Sequence, residues 1–234
     1  MTVLYSLTSD GFEILPSILS QDKIEELRTA LTSLEIAPGH RNLMLRIPAV
    51  ASLASSTAIL GRLEKSLGSG CFPVRSIFFD KTPEANWLVP WHQDLSIAVA
   101  HRHEVHGYGP WSTKDGVSHV QPPIPILEEM VTLRLHLDDC NEDNGALRVI
   151  PKSHRWGRLD ATRSAEIRAH EKAAVCVLKA GDALLMRPLL LHASSAAVMP
   201  RHRRVIHLEY ASRPLPDGLQ WAEGGPDRPA LTMP

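Results

Sequence analysis

The sequence predicts a mainly β fold, an antiparallel sandwich or barrel of jelly-roll type, with α-helices flanking it on the N-terminal side. Apolar residues at helical spacing fall in the first 67 positions. From Val74 onward the chain breaks into about seven short runs rich in β-branched and aromatic residues, separated by Gly, Pro and Asn-Gly turn signals. A length of 234 residues with 44% hydrophobic content suffices for a sizeable core, and without repeats or a linker we read 1–234 as one domain.

Asp10-Gly11 marks a turn, and Phe12 to Leu15 reads as a short strand before Pro16. Ser20 caps a helix with Asp22 in its first turn and an apolar stripe of Ile24, Leu27, Leu31 and Leu34. Pro38-Gly39 is expected to end it, and His40-Arg41-Asn42 reads as a solvated turn. A second helix is expected over Ala51 to Leu67, with Leu53, Leu60, Leu63 and Leu67 on one side and Gly68 behind it.

Val74 to Lys81 is the first strand of the later region. Leu95 to Ala100 is the next, and residues 101–125, with Gly107, Gly109, Pro110, Gly116 and Pro122-Pro123, are expected to form a long irregular lid loop. Val131 to Leu137 alternates, with Thr132, Arg134 and His136 on one side. Asn144-Gly145 signals a tight turn before a strand at Ala146 to Ile150. Residues 160–172 read as a short helix or excursion. Ala174 to Leu178 and Ala183 to Leu191 read as strands joined by Gly181-Asp182, and Arg203 to Ala211 as the last strand. The Pro- and Gly-bearing segment 213–234 is expected to be an irregular tail.

A net charge of −1 and a pI near 6.9 carry no nucleic-acid footprint and no basic face for a membrane surface. No apolar run is long enough for a transmembrane helix, and the N-terminus lacks the pattern of a signal peptide. Cys71, Cys140 and Cys176 are odd in number and unpaired in spacing, which fits reduced thiols in a cytoplasmic protein.

The chemistry concentrates at Trp91-His92-Gln93-Asp94. Side chains two apart on an extended segment share a face, so His92 and Asp94 set an imidazole beside a carboxylate. Such a pair suits a divalent metal, and one more His completes the facial triad of non-haem iron sites. A second pair, His136-Leu137-Asp138, competes. The third donor is sought at Leu189-Leu190-Leu191-His192, where the His closes a strongly apolar run. Eleven residues on, Arg203 opens the final strand. A buried Arg there needs a carboxylate, which a free dicarboxylate can provide to its planar fork.

His92-x-Asp94, His192, Ser194 and Arg203 together resemble the metal and cosubstrate site of the phytanoyl-CoA dioxygenase family. Ser76 to Lys81 resembles the strand preceding that family's His-x-Asp motif. Leu137-Asp138-Asp139, Asn144-Gly145 and Val149-Ile150-Pro151-Lys152-Ser153-His154 resemble its L-D-D … N-G-x-L-x-V-x-P-G-S-H segment, with Lys152 in place of the usual Gly. Gly181-Asp182 leading to His192 is similar too, and the likeness runs from about residue 10 to 211. The strand count between ligands, set beside this resemblance, selects His92/Asp94 over His136/Asp138.

The resemblance implies a double-stranded β-helix, a cupin-like barrel with the metal inside one mouth. It implies Fe(II) held by His92, Asp94 and His192, with 2-oxoglutarate and O2 as cosubstrates, and decarboxylation to succinate coupled to oxidation of a substrate. Arg203 would grip the distal carboxylate with Ser194 beside it, and Lys81 or Arg134 would neutralise further charge. An intact Asp94 favours hydroxylation, desaturation or ring chemistry over chlorination. Arg41 and Trp87 are candidate substrate contacts, and the substrate is expected to be a small free metabolite such as an amino acid or natural-product intermediate. The alternatives are a cupin-type metalloenzyme that does not use 2-oxoglutarate and a non-catalytic metal-binding homologue.

Overall fold

The computed structural model describes residues 4–226 except Ile36 and Pro38. The N-terminal part holds helices α1 (Leu7–Asp10), α2 (Gln21–Leu31), α3 (Leu43–Arg46), α4 (Pro48–Ala54) and α5 (Thr57–Leu67), with strands β1 (Phe12–Leu15) and β2 (His40–Arg41) among them. Then follow β3 (Phe72–Lys81), β4 (Val89–His92), β5 (Ile97–Val99), β6 (Trp111–Lys114), β7 (Val117–Val120), α6 (Ile124–Glu128) and β8 (Met130–His136). The chain closes with β9 (Leu147–Val149), α7 (Ala161–His170), β10 (Ala174–Cys176), β11 (Ala183–Met186), β12 (His192–Ser194) and β13 (Arg203–Ala211).

A six-stranded sheet runs β1-β11-β8-β13-β3-β2 and a four-stranded sheet β10-β9-β12-β4, all antiparallel. Alternation along β13 and β8 organises the large sheet. Ile206, Leu208 and Tyr210 join Leu133, Leu135 and Leu137 on one face, packed against Leu27, Leu31, Leu43, Leu53 and Leu63 of the helices. Arg203, His207 and Glu209 share the other face with Arg134, and these line a cavity with residues of the small sheet. Both faces of these strands are therefore buried, one against helices and one around the cavity. The predicted jelly-roll class and the Thr132/Arg134/His136 face stand as expected.

Several local expectations are corrected. The single helix over Ala51 to Leu67 is two, because Ser56 caps a new start by accepting the Ile59 N–H at 3.4 Å, while Pro48 opens α4 where its missing donor is harmless. Helix α2 ends at Leu31, and of its expected stop Pro38 lies outside the described residues. His40 and Arg41 pair with Phe78 and Ile77 instead of forming a solvated turn.

Segment 101–125 is not irregular throughout. Asp115 and Gly116 both take positive φ, the two-residue hairpin geometry, and join β6 to β7 in a three-stranded sheet with β5. The expected strand Ala183 to Leu191 stops at Met186, since Pro188 lacks a ladder donor, and the chain resumes as β12 in the other sheet. Lys152 keeps the turn where a Gly was expected, at φ 70°, with its N–H bonded to Asp10 O at 2.8 Å. The tail is irregular but docked through buried Trp221 and Glu223, and 227–234 lie outside the described residues. No helix among the described residues is long and apolar enough to cross a membrane. The three cysteines are free and buried.

Candidate active site

Strand pairing brings two distant motifs together. β12 lies beside β4 with His192 opposite His92. One donor atom from each of His92, Asp94 and His192 falls within a 4.8 Å cluster. The two imidazoles are oriented alike: Nδ1 of His92 donates to Pro90 O and Nδ1 of His192 to Leu190 O, each at 2.8 Å. That selects the tautomer in which Nε2 carries the lone pair, and the Nε2 atoms stand 3.7 and 3.8 Å from the Asp94 oxygens.

Asp94 is held by its own N–H on Pro188 O at 2.9 Å. Gln93, between the donors, points the opposite way and ties the segment down. Its amide donates to Leu189 O at 2.6 Å and Gly157 O at 2.8 Å and accepts from Leu159 N at 2.8 Å.

Burial pushes His192 down to about 4, so its imidazole is neutral at pH 7. Burial alone would raise the Asp94 carboxyl, but the neighbouring His192 and His92 outweigh it and hold it well below the usual carboxylate range. Asp94 Oδ2 is sealed from solvent and accepts no hydrogen bond. An ionised oxygen in that state demands a cation, and two imidazole nitrogens with a carboxylate are a donor set suited to a divalent first-row metal.

The cavity beside these donors measures about 180 Å³. Its lining unites the expected Ser194, Arg203, Arg134, Arg41 and Trp87 with His92, Asp94 and His192. Lys81, wholly buried, stands behind Ser194, its Nζ donating to Ser194 Oγ at 2.8 Å and to Ser195 O. Arg203 donates to Gly145 O and lies 3.4 Å from Ser194 Oγ, while its Nε has no partner. Arg134 reaches His207 Nδ1 at 2.9 Å, and its Nε is also unpartnered.

None of Lys81, Arg134 and Arg203 forms an ion pair among the described residues. Burial, then the charge of Arg203, push Lys81 down to about 7, and the same two causes push Arg134 to about 10. Buried cations clustered without a counter-ion are costly, and an anion with two carboxylates fits that deficit.

The competing pair separates. His136 is buried on the cavity side, whereas Asp138 accepts a forked contact from Arg204 at 2.7 and 2.8 Å and a third from Arg28 at 2.9 Å. It is a structural tie between β13 and α2. Sequence reasoning missed Gln93, Arg75, His207 and Glu209. The last two share strand parity with Arg203, and Arg75 shares it with Lys81, so alternation on β13 and β3 was the available signal.

Comparison with known proteins bears on the family and the fold. The sequence pattern of the phytanoyl-CoA dioxygenase (PhyH) family matches residues 7–205. The chain belongs to that family. Among curated proteins, L-proline trans-4-hydroxylase of Streptomyces griseoviridis is 24% identical over 186 residues, covering 68% of this chain. The chain spans only 62% of that relative's length.

Solved structures share the fold. EctD from S. alaskensis, determined with 2-oxoglutarate and 5-hydroxyectoine, superposes with a TM-score of 0.68 at 21% identity, covering 88% of this chain and 73% of its own. HygX from Streptomyces hygroscopicus, determined with nickel, 2-oxoglutarate and hygromycin B, gives 0.64 at 16% identity over 88% and 84%. The PhyH assignment and these neighbours place the chain among jelly-roll, cupin-like folds.

Proposed function

We propose that the protein is an Fe(II)- and 2-oxoglutarate-dependent dioxygenase that oxidises a small free metabolite, an amino acid or natural-product intermediate. One observation carries the reading. A compact His-Asp-His donor set opens into the same cavity as a buried group of cations that forms no ion pair among the described residues.

His92, Asp94 and His192 hold the metal, their orientation set in advance by Pro90 O, Leu190 O and the Gln93 anchor. Arg203 takes the distal carboxylate of 2-oxoglutarate, and Ser194, positioned by Lys81, hydrogen-bonds beside it. Arg134 adds positive charge from the neighbouring strand. With O2, the bound iron and 2-oxoglutarate supply the oxidation and leave succinate and CO2. The chain's part is to orient both partners and to wall the site with Phe79, Trp87 and Leu147. Asp94 retains the carboxylate donor, which favours hydroxylation, desaturation or ring chemistry over chlorination.

A cupin-type metalloenzyme without 2-oxoglutarate has no use for buried Arg203, Lys81 and Arg134 around its cavity. Anaerobic titration of the Fe(II)-loaded protein with 2-oxoglutarate tests the reading. A saturating visible charge-transfer band from the chelated keto acid is expected. Iron binding with no band would overturn the 2-oxoglutarate assignment.

A further inference from the structure

The cavity has a second polar group of residues besides those assigned to the metal and 2-oxoglutarate. Arg203 and Glu209 face the cavity from opposite ends of β13, six residues and roughly 20 Å apart along the strand. In the register of the sheet, Glu209 lies opposite Arg75 on one side and Thr132 on the other. Glu209 is 3% exposed and Arg75 8%.

The hydrogen bonds at this end are lopsided. Arg75 Nη1 donates to Glu209 Oε1 at 2.8 Å. His207, whose Nδ1 accepts from Arg134, turns its Nε2–H to the same Oε1 at 3.3 Å. Both donors thus converge on one oxygen, and Oε2 has no partner among the described residues. An Arg–carboxylate pair serving structure alone is best satisfied as a fork across both oxygens. Here the fork is declined, and the free oxygen belongs to a residue lining the cavity.

The cations at this end are equally incomplete. Arg75 Nε and Arg41 Nε are sealed from solvent and unpartnered. Arg41, which also lines the cavity, pairs with Asp115 at the tip of the β6–β7 hairpin. His119, wholly buried on β7, has its Nε2 unpartnered as well.

Resting on the proposed function, we infer that this end reads a small zwitterionic substrate. The free oxygen of Glu209 holds its protonated nitrogen, and Arg75 with Arg41 receives its acidic group. A zwitterion engages both halves of the Arg75–Glu209 pair at once, whereas a neutral polyol brings a full charge to neither Glu209 Oε2 nor Arg75.

The test uses the full chain loaded with Fe(II) and 2-oxoglutarate. The probes are free amino and imino acids, their N-acetyl derivatives, their carboxamides and neutral polyols. Binding is followed by anaerobic calorimetry and stimulated succinate release by aerobic assay. Binding and stimulation confined to unmodified zwitterions are expected, with loss on N-acetylation.

Glu209→Gln, nearly isosteric, is expected to raise the apparent KM for the best probe at least tenfold while 2-oxoglutarate affinity holds; it leaves Arg75 without its buried counter-ion, so the thermal midpoint is expected to fall and the kinetics are compared at a temperature where both proteins are folded. Arg75→Lys, which keeps the charge but not the fork, is expected to weaken the acid-bearing probe with the same controls. Stimulation by N-acetylated or neutral compounds, an unchanged KM in Glu209→Gln, or no response from any zwitterion while the charge-transfer band forms would each overturn this inference alone. Absence of the band would instead overturn the proposed function beneath it.

Discussion

Replacing Arg203 with Met isolates the work of its charge. Arg203 is 4% exposed, and its Nε has no partner. Truncating one member of a buried charge pair costs about 2–5 kcal/mol of binding. Lys81 and Arg134 remain at the same end, so the loss is expected near the lower bound, about 2–3 kcal/mol, or roughly 30- to 150-fold in the 2-oxoglutarate dissociation constant.

A second effect has the opposite sign. Without cosubstrate the native Arg203 is a buried charge lacking an anion, so Arg203→Met is expected to stabilise the apoprotein by about 1 kcal/mol. The assay pairs anaerobic titration of the charge-transfer band with thermal unfolding at matched 2-oxoglutarate concentrations. Wild type gains stability with ligand and the variant gains far less.

Arg204→Met is the control. One residue along the strand it faces the other way, into Asp138. It is expected to lose about 1–3 kcal/mol of stability and keep its 2-oxoglutarate affinity. A 2-oxoglutarate constant in Arg203→Met within about twofold of wild type would refute the reasoning.

His92→Ala is expected to abolish stoichiometric Co(II) or Fe(II) binding while His136→Ala preserves it, measured by metal titration; the reverse would move the site to the second pair. Gln93→Ala removes no metal donor but frees the segment that carries two of them, so metal affinity is expected to fall roughly 10- to 100-fold, as for other outer-shell partners, with loss of stability on unfolding. Glu223 ties the tail to β3 by accepting from Ser76 N at 2.6 Å and from the Ser76 hydroxyl, and its burial pushes the carboxyl up to about 7. The native state therefore holds that proton more tightly than the unfolded chain. Stability is expected to fall as pH rises from the ordinary carboxylate range through about 7 and to level off above, and Glu223→Gln should flatten this profile in thermal melts.

The elements that rest on short-range physics were legible in the chain itself. Capping by Ser20, the stripe of Ile24, Leu27 and Leu31, the alternation of Val131 to Leu137 and the His92-x-Asp94 spacing each depend on neighbours within a few residues. The same holds for the break at Ser56 and the Asp115-Gly116 hairpin, whose signals were present but outweighed by the apolar run of one and the Gly and Pro content of the other.

What only the tertiary structure decided concerns pairings between residues far apart. His192 becomes a partner of His92 through the alignment of β12 on β4, about a hundred positions away in the chain. Asp138 is removed from contention because Arg204 and Arg28 converge on it. Arg203 faces the cavity and Arg204 the helices because the register of β13 sets which parity points inward. The Arg75–Glu209 pair, 134 positions apart, carries no local signature at all. Each alignment is set by the summed burial of two sheet faces, a property that no short window of sequence contains.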